Sequence, residues 1–223
     1  MKFLRYSHPM PIPINNPLHP PSNVLIPRPW RPAGEQRLAA VAMLQISLNN
    51  PGLEQVPVAQ DTDGILLIKR SENLRGHSGQ WALPGGKQEP NESLWQTAKR
   101  ELHEETRLSP ERIHWTGDMG GLVTGTGYRA QVLMGRMTQA EAIQVDGSEA
   151  VLASAYPIQW LLREDTYRFR PVGVIPGRHF SWGHPDPAQD WPTPLWGATA
   201  FMLLELRRRL RPDLPDPDTR PKD

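Results

Sequence analysis

The stretch Pro84–Leu108, PGGKQEPNESLWQTAKRELHEETRL, places three carboxylates in the back half of one amphipathic segment that follows a Gly-Gly turn. Asn91 or Ser93 suits the cap position, Glu92 suits the first turn, and Leu94, Ala98 and Leu102 recur at helical spacing. At about 100° per residue, Glu101 lies roughly 60° from Glu104 and roughly 40° from Glu105. All three therefore share one arc, which overlaps the edge of the apolar stripe. Carboxylates a few ångströms apart repel by about 1 kcal/mol in water and by about 4 kcal/mol at an effective dielectric near 20. Two readings stand: a solvated acidic face relieved by Lys99 and Arg100, or a cation site. The LPGG turn favours the second, because its exposed backbone carbonyl can add an oxygen ligand. Hard oxygen ligands suit Mg²⁺ or Mn²⁺, with substrate phosphates completing the shell. A zinc HExxH helix is excluded, since HEETR from His103 lacks the second histidine.

The rest of the composition narrows the class. The chain has 223 residues, 38% hydrophobic and 22% charged, enough for one sizeable core. A net charge of +1 argues against a nucleic-acid surface, so an anionic ligand must be held by a local cluster. There is no cysteine, which excludes disulfides, thiolate metal sites and a cysteine nucleophile. The first residues lack the apolar run of a signal peptide, and nowhere do 18 apolar residues follow one another. A cytoplasmic protein with no membrane segment is expected. The oligomeric state stays open, a homodimer among the options.

Proline, with 25 residues, is unevenly spread. The dense share before residue 33 predicts an extended arm over residues 1–35, and its PLHP and PWRP stretches fit PxxP ligands only superficially. Residues 212–223 read as a flexible tail. Between them, residues 36–211 form the expected globular domain. RLAAVAMLQIS (37–47) is a buried-strand candidate, with helix left possible by its alanines. DTDG (61–64) is a turn before the strand ILLIKR. IHWTGDMGGLV and YRAQVLMGRM flank the turn at 124–127 and predict a hairpin; GGLVTGTG lacks the strand-to-helix context of a phosphate loop. Helices are expected near PIQWLLRE and over LWGATAFMLLELRRRL, the latter with Trp196, Ala200, Leu203 and Leu210 on one stripe. LRRRLR reads as a solvated helix end. Strands interleaved with two long helices predict an α/β layered domain with a mixed central sheet.

Gly86, Glu92, the REL of Arg100–Leu102, the EE of Glu104–Glu105 and the aliphatic Leu108, at their fixed spacing, resemble the signature of Nudix hydrolases. One position departs: Arg107 stands where the family usually has glycine, and the left-handed conformation that ends the helix costs more for arginine. The resemblance implies an α/β/α sandwich and a divalent-metal-dependent pyrophosphohydrolase acting on a nucleoside diphosphate linked to another moiety. It implies Glu101, Glu104 and Glu105 as metal ligands, joined by the Gly85 carbonyl, with Arg100 and Glu92 supporting them. One of the three would orient or deprotonate the attacking water. Glu149, just before an apolar strand, is a further candidate ligand or base, weighed against an ordinary loop glutamate.

LLIKRSENLRGHSGQWALPGG (66–86) resembles the motif preceding the Nudix box in coenzyme A diphosphatases. Leu66, Leu67, Arg70, Ser71, Arg75, Gly79 and Pro84 are in register; Ile68 and Leu83 depart from the usual Thr and Phe. Coenzyme A carries a 3′-phosphate besides its diphosphate, so its site needs extra cations, and Lys69, Arg70, Arg75 and His77 would supply them. Arg75 is the strongest of these; Lys69 is a good candidate for a solvated strand end. The expected products are 4′-phosphopantetheine and adenosine 3′,5′-bisphosphate. Two other readings remain: an ADP-ribose or NADH pyrophosphatase, and a non-catalytic nucleotide-binding module. Trp81, Trp182 and Trp191 are candidates for stacking an adenine, against the blander reading of core anchors. GRHFSWGHPDPAQDWPTP (177–194) reads as a long irregular loop able to act as a lid.

Overall fold

The strand expected from RLAAVAMLQIS is the axis of the fold. The computed structural model describes residues 37–54, 63–74, 76–124, 126–172, 175–186, 188 and 194–215. The proline-rich arm with its PxxP stretches, Arg75, Trp191 and residues 216–223 lie outside them. Strand β1 (Arg37–Ser47) is buried along most of its length, as a central strand covered on both faces should be. It runs parallel to β6 (Tyr128–Met137) and antiparallel to β2 (Asp63–Arg70) and β4 (Gly85–Lys87). β3 (Trp81–Ala82) and β7 (Ala150–Pro157) pair with β2, and β5 (Ile113–Val123) pairs with β6. Among the described residues these seven strands make one mixed sheet, ordered β3-β2-β1-β6-β5 with β4 and β7 off that path.

Side-chain alternation divides the core between the two faces. Ala42, Leu44 and Ile46 of β1 and Leu66 of β2 cluster with Leu102 and Leu108, beneath helix α1 (Leu94–Thr106). Met43, Ile65 and Leu67 point the other way, into a cluster with Tyr156, Trp160, Trp182 and Leu203. That second face is covered by the single turn α2 (Ile158–Leu161) and by α3 (Gly197–Leu210). The result is the expected α/β/α sandwich with a mixed central sheet.

Several local expectations change. Asp63 and Gly64 belong to β2, paired with Ser47 and Ile46, and so are strand and not turn residues, while Asp61 and Thr62 lie outside the described residues. The segment from Gly177 begins as a strand: β9 (Ile175–Trp182) lies between β8 (Tyr167–Val172) and β10 (Leu195–Trp196) in a small second sheet. Its aromatic residues drive this. Phe180 and Trp182 are buried, and the Trp182 Nε1 donates to the Ala200 carbonyl at 3.0 Å. Trp182 and Trp81 are therefore core anchors and not stacking platforms. On α3, Ala200 and Leu203 are buried and Leu210 packs at the edge, whereas Trp196 lies in β10 and only caps the helix. LRRRLR is no solvated end either. Arg207 is buried, donates to the Pro215 carbonyl at 2.8 Å and lies over the Tyr167 ring, while Arg209 donates to the Met119 carbonyl at 2.8 Å. Residues 211–215 are thereby turned back onto the domain.

Candidate active site

Helix α1 is started by a capping box: Ser93 Oγ accepts from the Gln96 N–H while the Gln96 side chain accepts from the Ser93 N–H at 2.8 Å. Ser93, not Asn91, is thus the cap, and Glu92 precedes the helix instead of sitting in its first turn. There Glu92 accepts from the Thr97 hydroxyl at 2.9 Å, from the Glu89 N–H at 3.1 Å and from Arg100 Nε at 2.7 Å. Arg100 pulls the Glu92 pKa down to about 2. The far end of α1 closes on Arg107, left-handed at φ 60°, whose N–H donates to the His103 carbonyl at 2.8 Å. Arginine takes up the conformation that glycine would favour, so the helix ends where the signature requires.

The carboxylate arc runs from core to solvent. The side chains of Glu105, Glu101 and Glu104 are 3%, 14% and 53% exposed, so one helix face presents a graded series. Arg100 binds across it, with Nη1 3.0 Å from Glu101 Oε1 and 2.9 Å from Glu104 Oε2, and Nη2 donating to the Lys87 carbonyl. The arginine thus gathers Glu92, Glu101 and Glu104 around one guanidinium, which raises its own pKa.

The Gly-Gly turn meets the arc from the sheet side. The Gly85 N–H donates to Glu105 Oε2 at 2.9 Å. Gly85 has φ 152°, and a Cβ there would lie 2.3 Å from the Ala40 carbonyl oxygen; on Gly86 it would lie 2.3 Å from Glu101 Oε1. Both positions need glycine, the first for the strand pairing and the second so that Glu101 can lie against the backbone. Gly86 opens the signature in the sequence, which assigns it no role of its own; its contact with Glu101 supplies one.

Of the predicted phosphate-binding cations, Arg70 reaches the arc: its Nη1 stands 3.8 Å from Glu105 Oε1. Lys69, one residue earlier, follows Ile65 and Leu67 onto the opposite sheet face, away from the carboxylates. His77 is exposed, left-handed at φ 56°, and its Nδ1 contacts Gln80 Oε1 at 3.2 Å. Glu149 is exposed at the start of β7, and its charge pushes up the pKa of both Glu101 and Glu105. Its place is set by Asp146, which accepts from the N–H groups of Glu149 and Ala150 and from the Ser148 hydroxyl. Asp146 was missed, although the turn-forming DGS before Glu149 was a usable cue.

Burial dominates the titration of the inner carboxylates. It raises Glu101 against the opposing pull of Arg100, and it pushes Glu105 up to about 8 despite the Gly85 N–H. Among the described residues no three carboxylate or histidine groups converge closely enough to enclose an ion, because Arg100 stands between Glu101 and Glu104. The donor set nevertheless fits a hard cation. Glu105 Oε1 is buried with no hydrogen-bond partner, beside a second half-buried carboxylate, and a divalent ion would satisfy both.

Residues 55–171 match a family model described as the NUDIX domain, more than half of the chain. The chain belongs to the Nudix hydrolase family. It is 39% identical over 150 residues to the uncharacterized Nudix hydrolase NudL of Yersinia pestis, covering 66% of this chain and 72% of that one. The NudL of Photorhabdus laumondii is 26% identical over 191 residues, 84% of this chain and 92% of that one. Among solved structures, a MutT/nudix family protein from Enterococcus faecalis aligns with 15% identity and a TM-score of 0.49, covering 83% of this chain and 66% of that chain. Nudix hydrolases generally use divalent metal ions, and the match supports a pyrophosphohydrolase. No helix among the described residues is long and apolar enough to cross a membrane.

Proposed function

We propose that this Nudix hydrolase is a cytoplasmic coenzyme A diphosphatase, cleaving coenzyme A to 4′-phosphopantetheine and adenosine 3′,5′-bisphosphate. The observation that carries the reading is the approach of Arg70 to Glu105 at 3.8 Å. It brings the basic motif of residues 66–86 onto the carboxylate helix, where a phosphate-rich substrate needs guanidinium groups.

In this reading Glu101, Glu104, Glu105 and the Gly85 carbonyl hold Mg²⁺ or Mn²⁺. The bound ion would neutralise the bridging diphosphate oxygens and lower the pKa of water. Glu149 accepts a proton from the attacking water, and Asp146 keeps it at the mouth of the site. With an ion bound, Arg100 would give up Glu101 and Glu104 and keep its bond to Glu92, so that the helix face would stay in register. Arg70, Arg75 and His77 hold the substrate phosphates. The second reading, an ADP-ribose or NADH pyrophosphatase, gains from the orientation of Lys69, which removes one cation from the set required for a third phosphate.

A substrate panel separates the two. Purified protein with Mg²⁺ or Mn²⁺ should hydrolyse coenzyme A with a kcat/KM at least about tenfold above 3′-dephospho-coenzyme A, NADH, ADP-ribose and diadenosine polyphosphates, the ratio expected from one charged contact. Preference for any substrate without the 3′-phosphate overturns the coenzyme A reading.

A further inference from the structure

At the end of β2 remote from Arg70, three polar side chains share the sheet face opposite α1. Gln45 continues the side of β1 that carries Met43, Asp63 the side of β2 that carries Ile65, and Arg136 the side of β6 that carries Met134. Gln45 and Arg136 are in register across the parallel pair. Together with Ser47, Asn50 and Thr138 they line a cleft of about 160 Å³. Seven residues of strand, about 23 Å at ~3.3 Å per residue, separate Asp63 from Arg70. The cleft is therefore separate from the carboxylate arc.

Its chemistry is unbalanced. Gln45 is 1% exposed, and its Nε2 donates to Asp63 Oδ2 at 2.5 Å. That bond fixes the amide orientation, because a carboxylate can only accept. The Gln45 Oε1 is then left buried with no hydrogen-bond partner. An orphaned buried carbonyl is costly, on the order of 1–3 kcal/mol, so folded chains seldom keep one without a use. Arg136 lines the same cleft as Asp63, and it forms no ion pair among the described residues. Gln45 and Asp63 thus bring two acceptors, and Arg136 a cation, to the lining of one cleft.

The geometry points to a second binding site, taking a small zwitterion of the α-amino-acid type. Its ammonium would donate to Gln45 Oε1 and Asp63, and its carboxylate would accept from Arg136. A bare anion leaves Gln45 Oε1 unsatisfied, and a bare cation leaves Arg136 unused. A cleft of about 160 Å³ suits a ligand with a short side chain.

The test is a titration of the full-length protein with L-serine, followed by backbone amide NMR signals of Ser47, Arg136 and Thr138. Acetate and ethanolamine serve as single-charge probes. L-serine should shift these signals saturably, and each single-charge probe should bind at least about tenfold more weakly, as loss of a charged hydrogen bond implies. Arg136→Gln should weaken L-serine by a similar factor while coenzyme A hydrolysis and melting temperature stay at the wild-type level. Asp63→Asn is the second variant and should do the same. The proposal is overturned by absence of a saturable shift, by affinity that survives both substitutions, or by acetate binding as tightly as L-serine.

Discussion

The backbone N–H of Gly85 donates to Glu105 Oε2 at 2.9 Å, joining strand β4 to the last turn of α1 through a carboxylate that is itself almost wholly buried. The bond holds the acidic side chain in place but does not offset its burial, which pushes the pKa up to about 8. An acid with a raised folded pKa stabilises the fold below its unfolded pKa, near 4.5, and that stability is lost as pH rises through the folded value. Metal-free protein should therefore lose stability between about pH 4.5 and about pH 8, by up to about 1.4 kcal/mol per unit for one proton. Denaturant melts in EDTA would show the decline. In Glu105→Gln it should flatten, with the Gly85 bond kept, while hydrolysis falls by about 10²-fold or more as a charged ion ligand is lost.

The two glycines of the turn should fail differently. In Gly86→Ala the new methyl meets the movable end of Glu101 at 2.3 Å, so the carboxylate swings away and activity drops while the melting temperature barely changes. In Gly85→Ala it meets the Ala40 backbone at 2.3 Å, and the cost should appear as lost stability, about 1–3 kcal/mol. Calorimetry beside a rate assay separates the two outcomes.

Arg107 is left-handed at φ 60°, exposed and outside the carboxylate arc. Arg107→Gly removes a strain of about 1–2 kcal/mol and adds unfolded-state entropy of about 0.5–1 kcal/mol. The net gain, about 0.5–1 kcal/mol, should raise the melting temperature by about 1–4 °C with kcat unchanged.

Much of this was legible beforehand because it depends on local pattern. The run of α1 and the pairing of Ile113–Val123 with Tyr128–Met137 follow from periodicity and turn residues, whereas the strand at Arg37–Ser47 is one of two readings its alanines allow. The carboxylate arc followed from helical geometry, and the face of Lys69 could have been read from its alternation with Leu67. The second sheet was not legible: Gly177–Trp182 is interrupted by polar residues and followed by prolines, and only contact with α3 makes its aromatics a core. Arg207 was hidden for a similar reason, since a run of three arginines gives no sign that one is buried against Tyr167.

On the coenzyme A reading Arg75 contacts the 3′-phosphate, whereas on the ADP-ribose or NADH reading it serves the shared diphosphate. Arg75→Ala should slow coenzyme A hydrolysis by about tenfold to a hundredfold and leave ADP-ribose or NADH hydrolysis within about twofold, the loss expected for one charged contact to the 3′-phosphate. Equal slowing of every substrate would assign that arginine to the shared diphosphate.

The central claim is that the α1 carboxylates hold a divalent ion in place of the Arg100 guanidinium. Anomalous diffraction from crystals soaked in MnCl₂ tests it directly. The account predicts a manganese peak bounded by Glu101, Glu104, Glu105 and the Gly85 carbonyl, with Arg100 drawn back onto Glu92. Crystals that show no peak there, with Arg100 still bonded to Glu101 and Glu104, would contradict it.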